Sequence, residues 1–333
     1  MSTSSKIQTV TGPIVTSELG RTLMHEHMII GYPGWESDTI RPGPRRADMM
    51  AICEDRVAEM RAHGVQSMLD PCPNDLGRDV EFAAEVASKT GFQIICATGL
   101  YKEEEGGASY WKFRAGLGAH PDSIAELFIH ELTVGIGDTG IRAGILKVAT
   151  GSPTITKYER TILLAAAKAS VETGAPITTH TDHGALGREQ QKILTDAGVP
   201  AHRIIIGHSC GTDDHDYHMD IVHGGSYLGF DRFGLEILQP DARRIASLLK
   251  VLKKGAASRV VISHDSVWCW RGQPVPNTEA FAEMLHEWTP SHFFKSIVPK
   301  LLAGGATPEQ IETMLVENPR RFFSDETPPP LGD

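Results

Sequence analysis

Short apolar runs alternate eight times with longer segments of helical periodicity, and this alternation constrains the fold more than any other feature. Runs rich in Val and Ile that are separated by helices are typical of parallel strands joined by crossover helices. The predicted strands are 21–27, 66–72, 93–100, 143–150, 176–181, 203–209, 226–231 and 259–265. The predicted helices are 47–63, 78–90, 121–136, 156–173, 187–197, 213–223, 241–254, 291–303 and 307–317.

Eight strand–helix units in one chain favour a closed (β/α)8 TIM barrel of the α/β class. An open doubly wound sheet is the alternative, although it usually has fewer units and a glycine-rich phosphate turn after its first strand. Here that turn holds His25-Glu26-His27 instead. The length of 333 residues fits one barrel, so we expect a single domain over residues 1–333.

Composition excludes several classes of protein. The net charge is −10, from 32 basic and 42 acidic residues, and no basic run occurs, which argues against a nucleic-acid partner. No stretch approaches the ~20 apolar residues that cross a membrane, and the N-terminus lacks the apolar run of a signal peptide. Five separated cysteines without a CxxC pair fit a reducing compartment. We therefore expect a cytoplasmic protein.

Polar residues recur at the carboxyl ends of the predicted strands, where the active sites of α/β barrels form. His25 and His27 end the first strand, and because they are two residues apart both can face the barrel axis. A lone strand-end histidine is more often a hydrogen-bonded core residue. Several such groups at one level are hard to explain by packing, however, and a metal would satisfy them together. The remaining members are His180, His208 and Asp265.

Lys147 lies near the end of the fourth strand, among apolar neighbours. One interpretation is a side chain that extends to the barrel mouth and keeps its ammonium in water. A second is a desolvated amine that forms a Schiff base with a substrate. A third is reaction with carbon dioxide to a carbamate, which would supply two anionic oxygens able to bridge two metals.

This pattern resembles the phosphotriesterase family of the amidohydrolase superfamily over about residues 8–323. The resemblance implies that His25, His27 and Asp265 hold one metal and that His180 and His208 hold a second. Carboxylated Lys147 and a hydroxide would bridge the two ions. The hydroxide would attack the substrate, and Asp265 would take up the proton. Zinc is the metal expected first, with cobalt, manganese or iron as alternatives. The flanking words that carry the resemblance are RTLMHEH from 21, IRAGILK from 141, IGHS from 206 and ENPRRFF from 317.

At two further positions, Tyr101 and Arg232, the sequence resembles the lactonase branch of this family. There a tyrosine lies over the metals, and arginine occupies the position at which true phosphotriesterases carry histidine. The alternatives are an aromatic residue on the pocket rim and a surface ion pair between Asp231 and Arg232. One departure is Gly211, which stands where many relatives carry an aspartate that could relay protons.

Near this departure, Asp213 and Asp214 are expected to cap the next helix, and His215 and His218 to be solvated. The tryptophan-rich segment 266–290 is expected to be a long loop that covers the pocket.

The resemblance thus predicts a binuclear metal-dependent lactonase that acts on small molecules, with N-acyl homoserine lactones as candidate substrates. Promiscuous organophosphate triesterase activity and a homodimer are expected as well. An aryl- or carboxylesterase and a true phosphotriesterase use the same machinery and remain alternatives. A Schiff-base aldolase that uses Lys147 and a barrel that only binds a ligand are the alternatives from other classes.

Overall fold

The computed structural model describes residues 5–120 and 122–331. Eight parallel strands form one sheet in which hydrogen-bonded neighbours follow chain order, from β3 through β5 to β11. An N-terminal hairpin, β1 and β2, precedes the sheet, and β4 pairs with β12 outside it. The strands are β1 (Lys6–Thr9), β2 (Gly12–Val15), β3 (Arg21–Leu23), β4 (His27–Ile30), β5 (Val65–Asp70), β6 (Gln93–Gly99), β7 (Ile145–Thr150), β8 (Ile177–Thr181), β9 (Ile204–Ile206), β10 (Tyr227–Phe230), β11 (Val260–Ile262) and β12 (Val267–Trp270).

The first and last strands of this sheet meet, which nearly closes the barrel. The Met24 amide, directly after β3, donates to the carbonyl of Ile262 at the end of β11 over 3.1 Å. The Asp265 amide donates to the carbonyl of His25 over 2.9 Å. The predicted (β/α)8 barrel is therefore confirmed, and the open doubly wound alternative is wrong.

Helices cover the outside of the barrel, and local signals in the sequence set their ends. In the helix after β7, the side chain of Thr156 caps the first turn by accepting from the Glu159 amide, and Gly174 ends the helix in the left-handed conformation at φ 76°. The helices are α1 (Arg46–Ala62), α2 (Val80–Thr90), α3 (Ala108–Gly116), α4 (Ser123–Thr133), α5 (Lys157–Thr173), α6 (Gly187–Asp196), α7 (His215–His223), α8 (Asp241–Lys253), α9 (Glu279–Met284), α10 (Val298–Ala303), α11 (Pro308–Glu312) and α12 (Asn318–Ser324).

Alternation along each strand divides the core into two layers. In β7, Ile145 packs with the cluster inside the barrel, whereas Leu146 and Val148 pack with the cluster between the sheet and the helices. Because side chains alternate between the two faces of a strand, Lys147 shares the inner face with Ile145. The strand pattern thus directs a lysine into the barrel.

Several predicted bounds differ from the structure. The predicted strand 21–27 is split into β3 and β4, because the ladder with β5 ends at Leu23. The sixth and eighth predicted strands end early, at Ile206 and Ile262. The predicted loop 266–290 contains β12 and α9, so it is only partly irregular.

The helices show differences as well. Helices α3 and α12 were not predicted. The predicted helix 121–136 corresponds to α4, which ends at Thr133, and its first residue lies outside the described residues. Among the residues that the structure describes, no helix is long and apolar enough to cross a membrane.

Candidate metal centre

The predicted metal-binding side chains meet at the carboxyl ends of the strands. The Nε2 atoms of His25 and His27 lie 3.4 Å and 3.2 Å from Oδ1 of Asp265. Nε2 of His208 lies 3.7 Å from Oδ2 of Asp265, and the rings of His180 and His208 are 4.7 Å apart. Two donors that each lie about 2.1 Å from one cation are about 3.0–3.4 Å apart. The distances from His25 and His27 to Asp265 match this spacing, and the distance from His208 to Asp265 is slightly longer.

Asp231 orients two of these imidazoles from behind. Its Oδ1 accepts from Nδ1 of His208 over 2.9 Å, and its Oδ2 lies 3.3 Å from Nδ1 of His25. With Nδ1 directed at this carboxylate, each ring presents Nε2 to the centre. A carboxylate behind a histidine is the usual way to fix the orientation of a metal ligand.

The other two histidines have carboxylates of their own. Nδ1 of His27 lies 3.3 Å from Asp70, and Nε2 of His180 donates to Asp182 over 2.9 Å. His180 consequently presents Nδ1 to the centre. Burial lowers the pKa of His180 to about 3. Burial also disfavours the charged form of His27, but its hydrogen bonds to Asp265 and Asp70 raise its pKa well above 6.5, so a bound cation would displace a proton there.

Lys147 completes the centre. Its side chain is only 1% exposed, and Nζ lies 3.0 Å from Nε2 of His25. The alternative in which this lysine reaches water at the barrel mouth is therefore wrong. Burial lowers the pKa of Lys147 to about 8, which makes the neutral, nucleophilic amine accessible near neutral pH.

The backbone turns sharply at two of the candidate ligands. His208 and Asp265 have φ values of 56° and 54°, in the left-handed region that residues with side chains rarely occupy. Each lies beyond the last paired residue of its strand, since β9 ends at Ile206 and β11 at Ile262. Such strain persists only where the surrounding structure imposes it, and it is concentrated at functional sites.

Tyr101 and Arg232 both lie over this centre. The hydroxyl of Tyr101 is 3.2 Å from Nδ1 of His180, and Nε of Arg232 donates to Oδ2 of Asp265 over 2.8 Å. Each side chain is 8% exposed. The alternatives of a rim aromatic and of a surface ion pair with Asp231 are therefore wrong.

The groups around Asp265 control its protonation. Burial alone would raise its pKa, but the neighbouring charges of His208 and Arg232 hold it well below 3.8. Asp265 is therefore a carboxylate at neutral pH.

The segment after His208 differs from the prediction at Asp213 and His218. Asp214 caps α7 as predicted, because its side chain accepts from the Tyr217 amide over 3.1 Å. Asp213 instead binds Arg243. His218, predicted to be solvated, is buried and Nε2 lies 2.8 Å from the carbonyl oxygen of Ser209. Helical periodicity would have revealed this, since His218, Ile221 and Val222 share one buried face.

Strand-end position could also have revealed the carboxylates that orient the histidines. Asp70 is the last residue of β5, and Asp231 directly follows β10. The same criterion that selected the histidines would have selected both. Asp182 follows β8 and belongs with them.

A cavity of about 280 Å³ opens above the centre. Its floor contains the histidines, Lys147 and Asp265, and its walls are mostly apolar. Segment 266–290, called the cover segment below, contributes much of the wall. The indole of Trp270 stacks on Tyr32, with ring centroids 6.3 Å apart. The apolar wall residues include Ile30, Leu76, Leu235, Val267, Val275, Phe281, Leu285 and Trp288.

A parallel barrel with histidines, a lysine and an aspartate gathered at the carboxyl ends of its strands has the architecture of metal-dependent barrel hydrolases. The sequence matches the phosphotriesterase family over residues 5–323. The chain belongs to that family and is a hydrolase. The resemblance inferred from the sequence is thereby confirmed.

Relatives of known name span nearly the whole chain. The phosphotriesterase homology protein of Mycobacterium tuberculosis is 36% identical over 330 residues, which cover 96% of this chain and 97% of that protein. The aryldialkylphosphatase of Saccharolobus solfataricus is 34% identical over 316 residues, with coverage of 93% and 97%.

Solved structures agree with this fold. The organophosphorus hydrolase from Deinococcus radiodurans matches with a TM-score of 0.92 at 42% identity, and covers 97% of this chain and 98% of its own. A multiply substituted protein from the same organism, described as a PTE-like lactonase, matches with a TM-score of 0.91 at 42% identity, with coverage of 95% and 99%.

Proposed function

We propose that this protein is a binuclear metal-dependent lactonase with weaker activity on organophosphate triesters. The observation that carries the proposal is the pair of Tyr101 and Arg232 directly over the histidine cluster, 3.2 Å from His180 and 2.8 Å from Asp265 respectively. Both are features of the lactonase branch that the sequence resembles. The match to a PTE-like lactonase supports the same branch.

The donor set fits two divalent cations. His25, His27 and Asp265 would hold one, because Oδ1 of Asp265 faces both Nε2 atoms. His180 and His208 would hold the other. Imidazole and carboxylate are ligands that zinc and its first-row neighbours accept, so zinc is the first candidate and cobalt, manganese or iron the alternatives. Two such cations supply hydroxide at neutral pH and polarise the substrate oxygen.

Lys147 would bridge the two cations as a carbamate. Its Nζ lies among the imidazoles, 3.0 Å from His25, and an ammonium at that position would repel cations. Reaction of the neutral amine with carbon dioxide forms an N–C bond and releases one proton. The product is anionic and carries two oxygen donors.

Other residues of the chain would accept the proton, bind the substrate and exclude water. Asp265 is held as a carboxylate and can accept the proton that the attacking water loses. The Tyr101 hydroxyl can donate to an oxygen of the substrate ring. The Arg232 guanidinium can donate to the same substrate while its Nε remains hydrogen-bonded to Asp265. The apolar walls exclude water from the reacting groups.

The cavity favours a substrate with a polar, hydrolysable ring and an apolar chain. The polar groups converge at its floor, and the cover segment lines the apolar part above. An N-acyl homoserine lactone has this division, with the ring at the floor and the acyl chain along the wall. The volume of about 280 Å³ suits a chain of modest length.

True phosphotriesterase activity is the second candidate, and the names of two relatives favour it. One is an aryldialkylphosphatase and another an organophosphorus hydrolase. An aryl- or carboxylesterase would use the same centre. A Schiff-base aldolase is disfavoured, because the amine of Lys147 faces His25 within a cluster of four imidazoles.

A hydrolysis screen tests the proposal. The metal-loaded protein is assayed with lactones of graded acyl length, with paraoxon and with aryl esters. We expect kcat/KM for the best lactone to exceed that for paraoxon by about 100-fold or more, which corresponds to about 3 kcal/mol of transition-state stabilisation. A higher kcat/KM for paraoxon would assign the protein to the phosphotriesterase branch.

A further inference from the structure

Glu26, which lies between His25 and His27, is fully buried and faces away from the metal centre. Its carboxylate binds the segment that carries Asp265 at several points. The hydroxyl of Ser263 lies 2.8 Å from Oε1, and the hydroxyl of Ser266 binds Oε2. The backbone amide and Nδ1 of His264 reach Oε1 over 2.9 Å and 2.7 Å. One carboxylate therefore contacts three of the four residues from 263 to 266.

The hydroxyl partners of Glu26 must both be donors. The Ser263 oxygen accepts from the His25 amide over 2.9 Å, so its proton is free to point at Glu26. The Ser266 oxygen accepts from the indole of Trp268 over 3.0 Å, so its proton is directed in the same way. Each serine thus accepts one hydrogen bond, from His25 or Trp268, and donates another to Glu26.

His264 has one tautomer that satisfies its neighbours. Its Nε2 accepts from the backbone amide of Phe293 over 3.0 Å, so the ring proton is on Nδ1 and is donated to Glu26. In all four hydrogen bonds at Glu26 the partner is therefore the donor, and both carboxylate oxygens act as acceptors.

These bonds hold Asp265 in its strained conformation. Its neighbours on both sides, His264 and Ser266, are fixed to Glu26, and its own amide donates to the His25 carbonyl over 2.9 Å. The left-handed φ of 54° then directs the carboxylate inward, toward the histidines. Because a left-handed conformation is unfavourable for a residue with a side chain, it needs such contacts to persist.

The same bonds support the cover segment. The indole of Trp288 donates to the carbonyl of His264 over 2.8 Å, and the indole of Trp268 donates to Ser266 over 3.0 Å. Two tryptophans of the cover segment are thus attached to the two residues that flank Asp265. A change at Glu26 would reach the metal ligand and the cover together.

We propose that Glu26 is a positioning residue that aims Asp265 at the metal centre and anchors the cover segment through His264 and Ser266. The inference about Asp265 rests on the proposed metal centre. The inference about the cover does not, because it concerns hydrogen bonds within the chain alone.

The test uses Glu26→Gln, which keeps the shape of the side chain and removes its charge and one acceptor. Glu131→Gln is the matched control, since Glu131 is a buried carboxylate that binds Arg78 and Asn74 instead. Zinc affinity is measured by competition with a chromogenic chelator, and amide hydrogen exchange is followed across 271–290. We expect Glu26→Gln to weaken zinc binding by about tenfold or more, because replacing a residue that orients a metal ligand commonly lowers metal affinity by that amount. We also expect it to speed amide exchange in the cover segment. The control should change neither.

Unchanged zinc affinity in Glu26→Gln, or an equal loss in Glu131→Gln, overturns the role toward Asp265. If Glu26→Gln does not fold, Ser263→Ala and Ser266→Ala each remove the hydrogen bond to Glu26, together with the one that the serine oxygen accepts, and keep the carboxylate. Ser266→Ala should speed exchange in the cover, and unchanged exchange there overturns the anchoring role. Should the unmodified protein bind no zinc, cobalt or manganese, the proposed function fails, while the exchange experiment still decides the anchoring of the cover.

Discussion

Nε of Arg232 donates to Oδ2 of Asp265 over 2.8 Å, inside a site from which solvent is almost excluded. The guanidinium therefore neutralises one oxygen of a candidate metal ligand, while the other oxygen faces the histidines at 3.2–3.4 Å. Burial opposes the charge of Arg232, but the charge and hydrogen bond of Asp265, together with the neighbouring groups Tyr101 and Asp231, raise its pKa above the usual value, so Arg232 is charged at any accessible pH. This pairing leaves Asp265 able to bind a cation and keeps a cationic donor beside the substrate.

We expect Arg232→Met to change substrate choice more than metal content. Loss of a charged donor costs about 1.5–3 kcal/mol, or roughly 10- to 100-fold in kcat/KM, and the loss should fall on lactones. Bound metal should change little, since no candidate ligand is removed. The measurements are kcat/KM for a lactone and for paraoxon, and elemental analysis. Equal losses on both substrates would contradict a role in specificity.

Metal content gives a second prediction. The six clustered candidate ligands should bind about two divalent ions per chain, and a chelator should abolish hydrolysis. Activity should return when zinc, cobalt or manganese is added back. Elemental analysis of the purified protein measures the ratio. A metal-free preparation with full activity would exclude a metal-dependent mechanism.

Lys147→Ala should lose both metal and activity, because the bridge and its charge are removed together. Acetate or propionate should restore part of the activity, since a short carboxylate can occupy the vacated space. Lys147→Met is the matched variant of similar length that leaves no space, and it should show no rescue. Equal behaviour of the two variants would contradict the carbamate proposal. Bicarbonate should also speed reconstitution of the metal-free protein.

Tyr101→Phe removes only the hydroxyl that lies 3.2 Å from His180. We expect kcat/KM for lactones to fall about tenfold, the usual effect of losing one hydrogen bond to the reacting groups, with metal content unchanged. Tyr158→Phe is the control, because that hydroxyl is buried outside the cavity lining and has no hydrogen-bond partner among residues 5–120 and 122–331. If Tyr101→Phe keeps full activity, this hydroxyl does not contact the substrate.

The pH dependence of stability can be tested away from the metal centre, at Glu59. Burial opposes ionisation there, but hydrogen bonds from Lys295, Ser291 and Arg56 lower the pKa of Glu59 from 4.5 to about 2. A depressed carboxylate pKa stabilises the folded state above the unfolded value of about 4.5, and this contribution is lost as the pH falls toward 2. Because Lys295 is half exposed, the contribution is only about 1 kcal/mol.

Glu59→Gln should therefore lower the free energy of unfolding by that amount at pH 7, and the difference from the unmodified protein should shrink below pH 4.5. Denaturant unfolding at several pH values measures this difference. A difference that is constant with pH would contradict the assigned cause.

The sequence predicted the barrel because its signals are local. Each strand–helix unit carries its own apolar run and often its own terminal glycine, as Gly91 and Gly174 illustrate at φ 66° and 76°. The six candidate ligands were found for a related reason, since strand-end position needs only the strand pattern. Their assignment to metals stays a prediction.

What the sequence could not predict depends on contacts between distant elements. Glu26 meets His264 across 238 residues, and Asp231 meets His25 and His208 on other strands. A two-residue period indicates the face of a strand but not the neighbour that a side chain reaches. The cover segment was predicted only in part, because its irregular backbone is set by contacts such as that of Trp288 with His264.

The pairing of β12 with β4 has a consequence for engineering. Val267 to Trp270 lie in register with His27 to Ile30, so this part of the cover is joined to the strand that carries a candidate ligand. A chimera that imports the cover segment of a relative should therefore be joined after Trp270, because a graft that begins at residue 266 would also exchange a strand that is paired with β4.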